Sequence, residues 1–311
     1  MTALEARPAL PGLTVRRVGP EAAPAVLAIV QAAFATRPPL DPPADALGET
    51  AGHLATALAN GGLVAEVDGR EVGALVLDPD DSTLWLRRVG VLPEVREHGV
   101  ATDLVSAALA TSTPYDDVAV LAREELPATV EFWVDHGFVE IARRSPYVEL
   151  RRPAVRAYDA PDAETMRDLG VGLAPRLRAG DVVVLTGELG AGKTTFTQGL
   201  GAGLRVRGDV TSPTFVIARV HPSLVGGPAL VHVDAYRLGG VAELDDLDLD
   251  TSLDEAVTVV EWGEGIAEGL ADDRLEVRIE RALADEAGDL DPRRVTVRPI
   301  GRRWLDAPVG P

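Results

Sequence analysis

The sequence predicts two α/β domains. Residues 1–152 form a mixed sheet with helices, and residues 153–311 form a phosphate-loop (P-loop) sheet with flanking helices. Three observations lead there. A chain of 311 residues is about two domains long at roughly 150 residues each. Strand-like and helix-like stretches alternate in both halves. Between the halves, Arg151 to Pro161 lacks apolar periodicity and carries two prolines, as a linker or a strand entering a new domain would.

In the first half, LTVRRV reads as a strand and Pro24 to Phe34 has helical spacing. A proline-rich loop and a second helix follow. Gly62 to Asp78 then holds two strands joined at Asp68-Gly69, a hairpin signal. Thr83 to Leu109 reads as strand, loop and helix, with Arg96, Glu97, His98, Gly99, Val100 and Ala101 in the loop and at the helix start. Backbone amides at such a helix start can cradle a pyrophosphate. Glu131 to Phe138 and a last strand at Tyr147 close the half.

In the second half, Asp181 to Gly187 is a β-branched run ending in glycine, the pattern of a buried strand. Gly187-ELGAGKT-Thr194 fits G-x-x-x-x-G-K-[ST], and TTFTQGLGAGL continues with helical spacing. Gly187, Gly190 and Gly192 let the backbone turn tightly and bring its N–H groups to phosphates. Lys193 is the only lysine among 30 basic residues. Its compact ammonium suits a crowded phosphate cradle in a way that a planar guanidinium does not. Codon bias accounts for the arginines elsewhere. The Thr194 hydroxyl suits Mg²⁺.

Three later stretches carry polar groups. Val210 to Ile217 is a Thr/Ser-rich turn entering an apolar strand. Leu230 to Leu238 alternates apolar residues and ends its strand in Asp234; Val257 to Glu264 ends its strand in Glu261, followed by Trp262. Acids at the ends of parallel strands can converge on a P-loop. His232, among apolar neighbours and with no second His at metal spacing, reads as a core residue. The acidic stretch from Glu243 to Glu255 keeps leucines at intervals, as in a helix or turn on a solvated face. The tail after Trp304 reads as loose.

Composition sets outer limits. Hydrophobic content of 46% with mixed charge is that of a soluble globular protein. With no cysteine, thiol catalysis, zinc-thiolate sites and Fe–S clusters are excluded. The N-terminus lacks the basic-then-apolar design of a signal peptide, and no apolar run approaches the ~18 residues of a membrane span. A cytoplasmic chain with no membrane contact is expected. Net charge is −19, with 13 basic and 22 acidic side chains in residues 1–152 and 17 and 27 in residues 153–311. Neither half has the basic footprint of a direct, tight nucleic-acid ligand. A nucleotide is still allowed, because local amides hold phosphates on an acidic protein.

GELGAGKTTF, TSPTF, HVDAYRL and VVEW, in this order and spacing over about residues 160–300, resemble the TsaE family of P-loop ATPases. The resemblance implies an ATP–Mg²⁺ site working with a threonylcarbamoyl transferase and its inactive paralogue. Those partners modify adenosine 37 of tRNAs reading codons that begin with A, so tRNA is met only through that complex. It implies that Gly187, Glu188, Leu189, Gly190, Ala191, Gly192, Lys193, Thr194 and Thr195 hold the nucleotide. Thr194 and Glu261 would ligate the metal, and Asp234 would orient water. Thr214 would sense the γ-phosphate, and Trp262 would pack beside the site. Lys193, Asp234 and Glu261 are thus the implied catalytic residues. The family's nucleotide-touching Thr has its counterpart in Thr165, one residue further from the following glycine than the pattern puts it.

Residues 13–150 resemble the GNAT acetyltransferase family, through the R-x-x-G-x-A loop from Arg96 to Ala101 and FWVDHGF from Phe132 to Phe138. The resemblance implies acetyl-CoA held by Val89, Val91, Arg96, Glu97, His98, Gly99, Val100 and Ala101. It departs at Trp133, where many members have a general-acid Tyr, and in EELPATVEF, which lacks an upstream Asn. Tyr147, Glu94 and Glu124 are the acids at hand; a domain kept for partner contact is the other reading. For the P-loop half, the other classes are a small-molecule kinase and a slow nucleotide-dependent interaction switch.

Overall fold

A computed structural model describes residues 10–213, 216–240, 243, 254–281 and 292–309. It divides into two compact units, residues 1–154 and 155–311.

The first unit is built on seven strands: β1 (Leu13–Val18), β2 (Gly62–Val67), β3 (Arg70–Asp80), β4 (Thr83–Val91), β5 (Asp117–Arg123), β6 (Val139–Arg144) and β7 (Tyr147–Pro153). They lie in the order β1-β2-β3-β4-β5-β7-β6. The β2–β3 hairpin turns at Asp68 and Gly69, with φ of 51° and 80°, and joins Val67 to Arg70. Helices α1 (Ala23–Ala35) and α2 (Ala51–Ala57) bury Val26, Val30 and Leu54 against Val64, Ala74 and Val76. Helices α3 (Val100–Ala110) and α4 (Pro127–Asp135) cover the other face, where Leu104, Val105 and Trp133 meet Leu63, Leu75 and Leu86.

One pairing in this sheet is short. β4 and β5 run parallel, but only Thr83–Trp85 meets Asp117–Ala119. Beyond those residues the strands part. A register shift between β3 and β4, with Arg88 at φ 54°, re-aims the end of β4, as a bulge does.

The second unit has β8 (Arg156–Ala160), β9 (Val182–Thr186), β10 (Ala218–His221), β11 (Ala229–Asp234), β12 (Ala256–Glu261), β13 (Arg274–Arg281) and β14 (Arg293–Ile300). Their order is β10-β11-β12-β9-β13-β14-β8. The four central strands, β11, β12, β9 and β13, are parallel. β9, β11 and β12 are buried almost throughout, which is why they are continuous valine-rich runs rather than alternating ones. Helices α5 (Ala163–Leu173) and α6 (Lys193–Gly203) pack on one face over Val183, Leu185 and Val259. The two helices approach so closely that a Cβ on Gly199 would lie 2.1 Å from the Arg167 carbonyl oxygen.

Of the two readings of Arg151 to Pro161, the strand entering a new domain holds: β7 runs to Pro153 and β8 begins at Arg156. Two expectations change. The tail is not loose up to Val309. Trp304 and Val309 are buried, and Arg156 Nε donates to the Val309 carbonyl at 3.0 Å. Val216 and Ile217 form a turn before β10 rather than strand. Residues 244–253 of the acidic stretch lie outside the described residues.

Candidate phosphate-binding site

The site of the second unit grows from the central strand β9. Its chain leaves the sheet at Gly187 with φ 152°, turns at Gly190 with φ 76°, and enters α6 through Gly192 at φ 112°. No side chain caps α6, so the N–H groups of its first turn are open to an anion. Arg293 pins the outer turn, its Nε donating to the Ala191 carbonyl at 3.1 Å.

Lys193 is 5% exposed. Its Nζ donates to the Gly187 carbonyl at 2.6 Å and the Glu188 carbonyl at 3.0 Å. It also sits 3.6 Å from the centroid of the Trp262 ring. Burial holds the ammonium below its ordinary pKa; the charges of Glu261 and Asp234 act in the opposite direction.

Strand register brings the two acids together. Asp234 and Glu261 are partners across the parallel β11–β12 pair, and both are buried. Glu261 Oε2 accepts from Thr194 Oγ1 at 3.1 Å, and Glu261 Oε1 from His232 Nε2 at 2.8 Å. Asp234 accepts from Ser212 Oγ at 3.0 Å and from the Tyr236 N–H at 3.1 Å. Tyr236 lies 5.1 Å from Trp262, centroid to centroid. Among the described residues no group of three His, Asp or Glu side chains could hold a metal. A Thr hydroxyl facing one carboxylate is instead the donor set of a magnesium ion completed by phosphates and water, and the residues fit that ion.

Of the residues expected here, Lys193, Thr194, Asp234, Glu261 and Trp262 come together. Leu189 is 81% exposed on the outside of the loop. Thr165 is spent locally, its Oγ1 donating to Asp162 Oδ1 at 2.9 Å at the start of α5. Thr214 lies outside the described residues. His232 is a core residue, as expected, and its ring is in addition bonded to Glu261. Its spacing of two residues before Asp234 was the available signal, since alternate strand residues share a face. Ser212 stands within the TSPTF motif. Nothing in the sequence marks Arg293.

In the first unit, the parting of β4 and β5 opens a cleft of about 690 Å³. Val89, Val91, Arg96 and Ala101 line it. Glu97, at φ 66°, and Gly99, at φ 82°, turn the chain into α3, again with no side-chain cap. Three of the expected cofactor residues contribute differently. Val100 is buried in the core, so only its backbone remains for a ligand. The Arg96 guanidinium crosses to α1 and donates to the Ala33 carbonyl at 2.9 Å and Thr36 Oγ1 at 2.8 Å. His98 Nδ1 is 2.7 Å from the Arg96 carbonyl oxygen. Of the acids weighed, only Tyr147 lines the cleft. Glu94 pairs with Arg70, and Glu124 with Ser145 and Arg143. Arg37, stacked on Phe34, also lines the cleft; burial first, then Arg96, holds its pKa down to about 10.

A strand–glycine-loop–helix unit with a buried lysine and two strand-end acids defines the P-loop class of folds. A family model for the threonylcarbamoyl adenosine biosynthesis protein TsaE matches residues 160–288, and one for an acetyltransferase (GNAT) domain matches residues 59–140. The tRNA threonylcarbamoyladenosine biosynthesis protein TsaE of Streptomyces coelicolor is 66% identical over 145 residues, 46% of this chain and 97% of that protein. The crystal structure of Bacillus subtilis YdiB is 31% identical with a TM-score of 0.40, covering 49% of this chain and 90% of its own. That of the PaiA N-acetyltransferase of Thermoplasma acidophilum with coenzyme A is 13% identical with a TM-score of 0.41, covering 45% of this chain and 98% of its own. The chain belongs to the TsaE family, and a GNAT acetyltransferase domain precedes its TsaE part. Among the described residues, no helix is long and apolar enough to cross a membrane.

Proposed function

We propose that the second unit is the ATPase component of tRNA threonylcarbamoyladenosine synthesis. In this reading it binds Mg²⁺–ATP and acts with a threonylcarbamoyl transferase and its inactive paralogue, meeting tRNA only through them. The observation that carries the reading is the meeting of Lys193, Thr194, Asp234 and Glu261 at the carboxyl ends of parallel strands. The 66% identity to a TsaE protein supports it.

The loop amides and Lys193 bind the phosphates. Thr194 and Glu261 would hold the magnesium, which would supply charge neutralisation to the bound phosphates. Asp234, steadied by Ser212 and the Tyr236 N–H, orients the attacking water. Trp262 closes one wall of the site beside Lys193. The first unit is, in the same reading, an acetyl-CoA-dependent N-acetyltransferase. Its uncapped α3 start offers amides to the pyrophosphate, and Tyr147 is the proton donor available in the cleft.

The test is ATP turnover by the full chain, alone and with the transferase pair. Lys193→Ala is expected to abolish turnover and Glu261→Ala to weaken its magnesium dependence. Wild-type rates in both variants overturn the reading.

A further inference from the structure

We infer that His232 is a positioning residue for the metal-binding carboxylate. Its ring fixes Glu261 so that one carboxylate oxygen stays turned to Thr194. The inference rests on the nucleotide reading above and names a residue that reading does not use.

Register carries the first step. β11 and β12 are parallel, with His232 beside Val259 and Asp234 beside Glu261. Alternate residues share a face, so Leu230, His232 and Asp234 project to the side that α6 covers, as do Val257, Val259 and Glu261. His232 Nε2 thereby reaches Glu261 Oε1 at 2.8 Å, diagonally across the pair.

The carboxylate is then held at both oxygens, from two different elements. Oε1 belongs to the β11 imidazole and Oε2 to the α6 hydroxyl. This matters because the terminal torsion of a glutamate is soft and roughly two-fold. A hydroxyl alone leaves the carboxyl plane free to swing. A second donor on the opposite oxygen fixes the plane, and with it the direction of the oxygen facing Thr194.

Energetics argue against a mere filler. His232 is 0% exposed between Val231 and Val233, where an aliphatic side chain would pack with no polar cost. Its Nδ1 has no protein partner among the described residues. A buried polar group left unpaired forfeits its hydration without recompense. Among the described residues the bond to Glu261 is the ring's polar contact, and it also spares Glu261 a buried, half-satisfied carboxylate. Partners that orient a metal-ligating carboxylate typically govern metal affinity by about 10–100-fold.

The experiment measures binding of ADP to the full chain by calorimetry, in EDTA and across a Mg²⁺ titration, so that no turnover intervenes. His232→Leu removes the donor. His232→Asn keeps a polar group but sets its nitrogen short of Glu261. His232→Gln carries an amide nitrogen about where Nε2 sits. In His232→Leu and His232→Asn the apparent Mg²⁺ affinity is expected to fall about 10–100-fold, with ADP affinity in EDTA held within about twofold. His232→Gln is expected to recover most of the loss. Should His232→Leu fail to fold, the Asn and Gln variants carry the same contrast. Unchanged Mg²⁺ affinity in the Leu or Asn variant overturns the inference, as does a loss in all three that follows melting temperature alone. If wild-type ADP binding gains nothing from Mg²⁺, the metal reading of the site falls and this inference with it. A wild-type gain that all variants share overturns only the inference.

Discussion

The two units open a helix toward a candidate phosphate in the same way and then diverge. α3 and α6 both begin behind a left-handed glycine, Gly99 and Gly192, with no capping side chain. Behind Gly192 comes a buried lysine, with a hydroxyl and two strand-end acids around it. Behind Gly99 comes Val100, an apolar core residue, and the polar groups of the cleft are mostly arginines: Arg37 after α1, Arg87 and Arg88 on β4, Arg96 before α3 and Arg123 on β5. An uncapped helix start is therefore only a cradle. What turns a cradle into a metal-dependent site is the sheet behind it. In the second unit, parallel strands deliver Asp234 and Glu261 in register beside the loop. In the first, the strands that could do so have parted.

Gly187→Ala is the largest blow to this contrast. The new Cβ would lie 2.4 Å from the Ile279 carbonyl oxygen, in backbone at φ 152°. Neither atom is the end of a flexible side chain, so the loop has to shift. The second unit should lose about 2–4 kcal/mol of stability from the overpacking and strain. ATP turnover should fall ~100-fold or more from displacement of the phosphate cradle. Thermal melts and turnover assays check both. A variant that keeps wild-type turnover would mean that the loop's backbone does not position the phosphates.

Gly99→Ala should do much less. Its φ of 82° is unfavourable for alanine, yet no atom lies within 4 Å of the added Cβ. The expected cost is the left-handed strain alone, about 1–2 kcal/mol, confined to the first unit's melting transition. Coenzyme A binding, followed by calorimetry, should survive within about threefold, since the loop can keep its path. A loss as large as that of Gly187→Ala would make the two cradles equivalent and remove the contrast.

The same contrast explains what could be read beforehand. The P-loop is spelled by neighbours in sequence: a valine strand, three glycines and a lysine within a dozen residues. The acids at 234 and 261 were visible because each ends an apolar strand. The mixed and P-loop sheets followed from element order for the same local reason. Other features depend on residues far apart in sequence. The cleft exists because β4 and β5 pair over only three residues before separating, and no local pattern encodes that distance. Arg96 read as a loop residue facing a cofactor, yet its side chain reaches Ala33 of α1, 63 positions away in sequence. His232 looked like core because it is core, and only the register of β11 on β12 adds its bond to Glu261. The tail looked loose as a chain end, while Trp304 and Val309 are buried and Arg156 holds the Val309 carbonyl.

The smallest expected effect separates the units by pH. His221, on β10, is buried. Its pKa is held below the ordinary histidine value by burial first, with the neighbouring charges of His232 and Arg219 adding to the shift and a hydrogen bond to the Arg207 backbone opposing it. A depressed pKa in the folded state means that the unfolded chain takes up this proton first. The stability His221 contributes is therefore present above its unfolded value, about 6.5, and is lost as pH falls through the folded value. In the first unit the described histidines, His53, His98 and His136, are not buried. Between pH 7 and about 5.5, the second unit's melting temperature should fall more than the first's. His221→Leu, which cannot titrate, should remove most of the excess slope, a change of about 1 kcal/mol or less. An equal slope in wild type and His221→Leu would place the acid sensitivity in other groups.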